Sequence, residues 1–168
     1  MTEENNQTEA AANTNPQVEF SLQRIYLKDL SFEAPQGAEA FKRQWKPQVS
    51  QDLGTKIKKL DNDHYDVALH LTITVKDGDD TMYLVEVEQA GIFLIKGLEG
   101  AQLTAILNTH CPQIIFPYVR ETVDSVITKG TFPALMMPPI NFEAVFQQAV
   151  ARAKQQQAAN QAESETVN

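Results

Sequence analysis

Two short stretches of the chain carry side chains of the kinds that catalysis and metal binding use. His64, Asp66 and His70 alternate along one predicted strand, and His110 stands next to the single cysteine, Cys111. An imidazole beside a thiol can activate a nucleophile, and imidazoles together with a carboxylate can bind zinc. The spacing of these residues decides whether either chemistry is available.

The spacing favours neither chemistry. A polar row opposite an apolar row is what a strand with one face in solvent shows, and neighbouring helical residues point in different directions. We therefore expect Cys111 to pack as a small hydrophobic residue. The acidic stretch 77–80 around Gly78 lacks the twelve-residue pattern of a calcium loop and predicts a hairpin turn. No phosphate-binding loop or nucleophile elbow is present. We predict no catalytic residue, no metal and no cofactor.

Composition narrows the class of protein further. The net charge of -8 and the lack of a basic cluster argue against nucleic acid as a partner. One cysteine excludes an internal disulfide and suits a reducing compartment. The N-terminus has no secretory signal, and no apolar run is long enough to span a membrane. We expect a soluble, cytosolic protein of one domain, residues 17–157, between disordered tails at 1–16 and 158–168.

The apolar pattern predicts an α+β fold. Alternation indicates four strands, the clearest being Tyr65–Val75, joined in an antiparallel meander. A helical rhythm runs from about Glu99 to Lys129, with an expected break around His110–Pro112 and Pro117 in the first turn of its second half. A last helix follows Asn141 as its N-cap and loses its apolar stripe after Ala153. We therefore predict a four-stranded antiparallel sheet covered by a long broken helix, plus a C-terminal helix.

The fourth strand has contacts to offer on both faces. One row is mostly apolar and the other mostly acidic, yet Leu84 stands in the acidic row and Gln89 in the apolar one. Ala90 and Gly91 then predict a flexible joint before a second apolar run. The two rows are Tyr83, Val85, Val87 and Gln89 on one side, and Met82, Leu84, Glu86 and Glu88 on the other.

Large apolar side chains in loops suggest a binding protein. One sheet and two helices provide one core, so further apolar surface calls for a partner. Aromatic and methionine side chains in loops suit the recognition of varied apolar ligands. The residues concerned are Phe32, Phe41, Trp45, Phe132, Met136 and Met137.

From about Val18 to Ala153 the chain resembles SecB, the cytosolic protein-export chaperone of Gram-negative bacteria. The matching blocks are long and collinear, with Ala90-Gly91 where the family commonly has two glycines. These blocks are RIYLKDLSFEAP (Arg24–Pro35), EVEQAGIFLIKGLEG (Glu86–Gly100), HCPQIIFPYVRE (His110–Glu121) and KGTFPALMMPPINFEAVF (Lys129–Phe146).

The resemblance implies a homotetramer, built as a dimer of dimers, that holds precursor proteins unfolded without ATP and delivers them to the SecA motor. It implies two sets of site residues. Unfolded polypeptide would bind at Trp45, Tyr83, Val85, Val87, Gln89 and Phe132. SecA would bind at Asp29, Glu33, Leu84 and Glu86.

Three other functions fit the residues. A curved sheet under a helix can enclose an apolar small ligand, which predicts a monomer or dimer with a bound molecule. A SecB-like chaperone can serve a toxin–antitoxin pair rather than general export. A structural subunit of a larger assembly is the third possibility.

Overall fold

The computed structural model describes residues 18–42 and 44–165, with side chains to residue 157. The predicted N-terminal tail lies outside these residues. The elements are β1 (Glu19–Glu33), a short 3-10 helix (Gly37–Phe41), β2 (Gln48–Lys59), β3 (His64–Asp77), β4 (Asp80–Lys96), α1 (Gly100–Asn108), α2 (His110–Lys129) and α3 (Phe142–Glu165).

The four strands form one antiparallel sheet in the order β1-β4-β3-β2. The fold class predicted from the sequence is confirmed, but the order is not that of a simple meander. Only β2, β3 and β4 are joined by tight turns, at residues 61–63 and at Gly78, whose φ is 61°. The connection from β1 crosses to the opposite edge of the sheet, and the short 3-10 helix lies within it.

The long strand β4 continues through the predicted flexible joint. Ala90 pairs with Tyr26 and Gly91 with Ile25, so both belong to one continuous strand of 17 residues. A Cβ on Gly91 would lie 2.8 Å from the Phe93 ring. A small residue is therefore needed at Gly91 for close packing, and the expectation of a hinge was wrong.

The core lies between one face of the sheet and α2. Along α2, Ile115, Val119, Val123 and Ile127 are 0% exposed, and their spacing of four residues makes one apolar stripe. The facing row of β3 is buried as predicted, and Phe93 and Ile95 extend the same layer along β4. Packing of this stripe on the sheet buries apolar surface and so stabilises the fold.

The helical half of the chain breaks close to the predicted position. Thr109 separates α1 from α2 with φ -122° and ψ -66°, one residue before the expected break. Pro112 falls in the first turn of α2, where its missing N–H costs little. Pro117 lies in the interior of α2, which differs from the prediction.

The last helix is longer than its apolar stripe. The Asn141 side chain accepts a hydrogen bond from the Ala144 backbone N–H at 3.0 Å, which confirms the predicted N-cap. α3 then runs to Glu165, past the predicted boundary at residue 157.

Candidate functional site

Five aromatic side chains from distant parts of the sequence meet at one end of the sheet. We call Phe32, Phe41, Trp45, Tyr83 and Phe132 the aromatic cluster. The ring of Phe132 is central, with centroid distances of 4.8 Å to Tyr83, 5.1 Å to Phe41, 6.2 Å to Trp45 and 6.3 Å to Phe32. These separations lie in the range in which aromatic rings attract each other.

The end of α2 fixes the position of Phe132. The backbone N–H of Phe132 donates to the Ile127 carbonyl at 3.2 Å, and that of Gly130 donates to Val126 at 3.1 Å. The ring of Phe32 lies directly against Gly130, where a Cβ would collide with it. The glycine therefore allows the chain to turn closely over β1 and to bring Phe132 into the cluster.

An open apolar groove of about 420 Å³ lies beside the cluster and is lined by three of its members. Phe41, Trp45, Pro47, Phe132 and Pro133 line it together with the small residues Ala40 and Thr131. Phe41 is 56% exposed and Phe132 is 4% exposed, so the groove has a fixed floor and an accessible rim. Among residues 18–42 and 44–165, none of those that line the groove carries a charge, and such a lining can accept apolar side chains of many shapes.

The structure brings only one residue of the predicted β4 row into the aromatic cluster. Tyr83 contacts Phe132, and burial together with the nearby Asp124 carboxylate raises the pKa of its phenol. Val85, Val87 and Gln89 are at most 5% exposed beneath the helices, and the Thr122 hydroxyl donates to the Gln89 side chain at 3.4 Å. Trp45, Tyr83 and Phe132 therefore come together, whereas the other three lie in the core.

The two methionines of the predicted apolar surface separate in the same way. Met137 is 2% exposed and belongs to the core, whereas Met136 is 78% exposed and does not line the groove. The Asp124 carboxylate accepts hydrogen bonds from the backbone N–H groups of Leu135 and Met136 at 3.1 and 3.3 Å. This tie fixes the course of the loop that follows the groove.

The other predicted set lies together on the opposite side of the sheet. We call this side, which carries Asp29, Glu33, Leu84 and Glu86, the open face. Glu33 is directly opposite Leu84 in the pairing of β1 with β4, and Glu86 and Asp29 lie on the next two rungs. The sheet brings all four into one patch, with the Ser31 hydroxyl donating to Glu86 at 3.5 Å.

The next carboxylate along the open face has a different environment. Glu88 lies between two ammonium groups, Lys28 at 3.0 Å from Oε1 and Lys56 at 3.0 Å from Oε2. Hydrogen bonds from these two lysines lower the pKa of Glu88. Neither lysine was identified from the sequence, because Lys28 reaches Glu88 through the long-range pairing of β1 with β4, and Lys56 reaches it across β3. The one indication in the sequence was that Glu88, two residues after Glu86, lies on the same side of the strand.

The candidate chemical residues do not form a catalytic or metal site. Asp66 accepts a hydrogen bond from the Tyr26 hydroxyl at 2.9 Å, and Lys28 lies 3.7 Å from its other oxygen. Within the described residues, no group of three His, Cys, Asp or Glu side chains could hold a metal ion. Cys111 is 0% exposed, and burial raises its pKa to about 12, so it is a packed thiol as predicted.

A polar cavity of about 480 Å³ lies near His110 and Glu143, and it shares no residue with the aromatic cluster.

Among residues 18–42 and 44–165, no helix has the length and apolar character required to cross a bilayer.

Comparisons with known proteins agree with the resemblance noted in the sequence. The family described as "Preprotein translocase subunit SecB" matches residues 13–153. "Protein-export protein SecB" of Cellvibrio japonicus is 50% identical over 169 residues, covering 100% of both chains. The protein of the same name from Stutzerimonas stutzeri is 52% identical, covering 90% of this chain and 93% of its own length.

One solved structure has a similar fold. It is the Rv1957 SecB-like chaperone of Mycobacterium tuberculosis in complex with a ChAD peptide from the Rv1956 HigA1 antitoxin. The TM-score is 0.57 at 17% identity, covering 72% of this chain and 87% of that one. At this identity the likeness concerns the fold alone.

Proposed function

Since the chain belongs to the SecB family of protein-export chaperones, we propose that it passes its clients to SecA and that it uses two different surfaces for the client and for SecA. The apolar groove at the aromatic cluster binds the unfolded client, and the open face of the sheet meets SecA. Both events take place in the cytosol, without catalysis and without a cofactor.

The observation that carries the client site is the groove beside Phe132. An unfolded precursor exposes apolar side chains that a folded protein buries, and the rings of Trp45 and Phe41 offer them an uncharged surface. Because the groove makes no demand for a particular polar partner, it accepts many sequences. Contacts of one client chain with several such grooves raise the effective concentration and turn weak sites into useful affinity.

Residues of the β4 row have two different roles in this proposal. Tyr83 packs directly against Phe132 and supports this ring of the groove. Val85, Val87 and Gln89 do not contact the client, because the helices cover them and hold them in the core. Their role is to support the groove. A client therefore contacts Trp45 and Phe132 and depends on the β4 row for the rigidity of the floor.

Assembly into a homotetramer, as a dimer of dimers, is supported by the character of β1. This strand is an edge of the sheet, and Leu22, Leu27 and Leu30 are 39%, 47% and 37% exposed along it. A free edge with apolar side chains can add a strand from a second copy. The tetramer brings several grooves onto one particle.

Reversing the charge of the open face should separate its role from that of the groove. The variant Asp29→Lys/Glu33→Lys is expected to weaken SecA binding about ten-fold or more, because each lysine repels the basic surface that the carboxylates attract. Binding of an unfolded precursor should stay within two-fold of the wild type, measured by fluorescence anisotropy under the same buffer.

A matched control carries the same change of charge elsewhere. Glu121 and Glu143 are exposed residues of α2 and α3, so Glu121→Lys/Glu143→Lys changes the net charge equally without touching the open face. Equal loss of SecA binding in both variants would show that total charge, and no particular surface, governs docking.

The proposed function as a whole is tested by two measurements on the same sample. Native mass spectrometry gives the assembly, and light scattering follows a denatured precursor diluted into the protein without nucleotide. A tetramer that suppresses scattering and then yields the precursor to SecA supports the proposal. A monomer or dimer without holding activity contradicts it and favours a carrier of small apolar ligands.

A further inference from the structure

The open face changes its electrostatic character along β4. Leu84, Glu86 and Glu88 point to the same side of β4. The sequence alone therefore indicates that the acidic surface continues from Glu86 to Glu88. The ion pairs interrupt that surface at Glu88. Its carboxylate is 13% exposed and has an ammonium group at 3.0 Å from each oxygen.

The two lysines reach Glu88 from opposite sides. Lys28 comes from β1, the strand beside β4, at an irregularity in the pairing between Leu27 and Asp29. Lys56 comes from β2, two strands away, and pairs directly with Ala68 of β3. The small side chain of Ala68 leaves room for the long stem of Lys56 to cross β3 towards Glu88.

The remaining carboxylates of the patch have no such partner. Asp29, Glu33 and Glu86 form no ion pair within the part of the chain that the structure describes. Lys28 also lies 3.7 Å from the Asp66 carboxylate, so the two lysines neutralise Glu88 and Asp66, whereas the adjoining end of the sheet is negative. The open face therefore changes from an acidic end to a neutral centre.

We propose that Lys28 and Lys56 are built-in counter-ions that confine SecA docking to the acidic end of the open face. This inference rests on the docking role proposed above. A basic partner surface is attracted to Asp29, Glu33 and Glu86 and finds no net negative charge at the Lys28–Glu88–Lys56 group, so the two lysines limit where it docks. While both lysines are present, Glu88 offers no unpaired negative charge to the partner.

A double-mutant cycle tests the counter-ion role. Lys28→Gln/Lys56→Gln exposes the charge of Glu88 and is expected to tighten SecA binding roughly two- to five-fold at low ionic strength. Glu88→Gln alone leaves the two lysines without this carboxylate and is expected to weaken SecA binding slightly, by less than about two-fold. Adding Glu88→Gln to the double lysine variant should abolish part of the gain, because the charge that the lysines masked is then absent. The affinities are measured by isothermal titration of the assembled protein with SecA.

Lys58 and Lys59 provide the matched control on the same strand as Lys56. Neither forms an ion pair among the described residues, and Lys59 instead lies 5.7 Å from the centre of the Tyr65 ring. Lys58→Gln/Lys59→Gln removes the same net charge without exposing a carboxylate. Equal tightening by this control would overturn the proposal, since total charge would then explain the gain.

The remaining outcomes separate this inference from the docking proposal. Unchanged or weaker binding by Lys28→Gln/Lys56→Gln, with normal binding by the wild type, would overturn the counter-ion role alone. Absence of wild-type binding to SecA would overturn the docking role and this inference with it. If the double variant does not fold, Lys56→Gln alone is the test, because the Lys56 side chain is 63% exposed and Lys28 stays on Glu88. Its expected gain is smaller but in the same direction.

Discussion

Replacing Trp45 with alanine is expected to weaken the binding of an unfolded client about ten-fold. The Trp45 ring meets Phe132 edge-on at 6.2 Å and lines the groove with its remaining surface. Truncation of a central aromatic residue in a binding surface commonly costs 1–2 kcal/mol or more, and about 1.4 kcal/mol corresponds to a factor of ten. The affinity is measured by anisotropy of a labelled, reduced precursor without nucleotide.

The control for Trp45 is an aromatic residue outside the groove. Tyr118 of α2 is 49% exposed, so Tyr118→Ala removes a ring of similar chemistry from another surface. Its effect on client affinity should be less than two-fold, within the usual range for a peripheral residue. Similar losses in the two variants would mean that clients bind over the whole apolar surface, in contradiction to a defined groove.

Placing an aspartate at Val85 is expected to lower the free energy of unfolding by more than about 3 kcal/mol. Val85 is 0% exposed in the layer between β4 and α2, where a carboxylate would be shielded from solvent among apolar side chains. Denaturant unfolding followed by circular dichroism measures the change. Wild type and variant are compared at one chain concentration, because assembly contributes to the apparent stability.

The control is the adjacent residue on β4, which lies on the opposite face of the sheet from Val85. Leu84 is half-buried on the open face, so Leu84→Asp should cost less than about 1 kcal/mol while placing the same new charge one residue away. Equal destabilisation at both positions would contradict the assignment of Val85 to the core. A stable Val85→Asp protein with poor client binding would instead support direct contact of this row with clients.

Local patterns predicted the local structure of this protein well. The alternation of β3 gave its buried row, and the helical rhythm gave α2 with a break one residue from its observed position at Thr109. The alternation along β4 correctly placed Val85 and Leu84 on opposite faces of the sheet. Such patterns succeed because the side-chain period of a strand or helix depends only on its own backbone.

Features that depend on long-range pairing could not be obtained from the residues alone. Nothing local in β1 indicates that it pairs with β4, and the meander expected from chain order was therefore wrong. The meeting of Phe32, Trp45 and Phe132 follows from that crossover. The same applies to Glu88, since its two lysines approach from strands that are distant in sequence.

One measurement tests most directly whether the groove binds the client and the open face binds SecA. A photoreactive benzoylphenylalanine is placed at Phe41, on the rim of the groove, or at Leu84, on the open face, and each protein is irradiated with an unfolded precursor or with SecA. Cross-linking of the precursor at position 41 and of SecA at position 84 is the expected result. A precursor that cross-links at position 84 and fails to do so at position 41 would contradict the account.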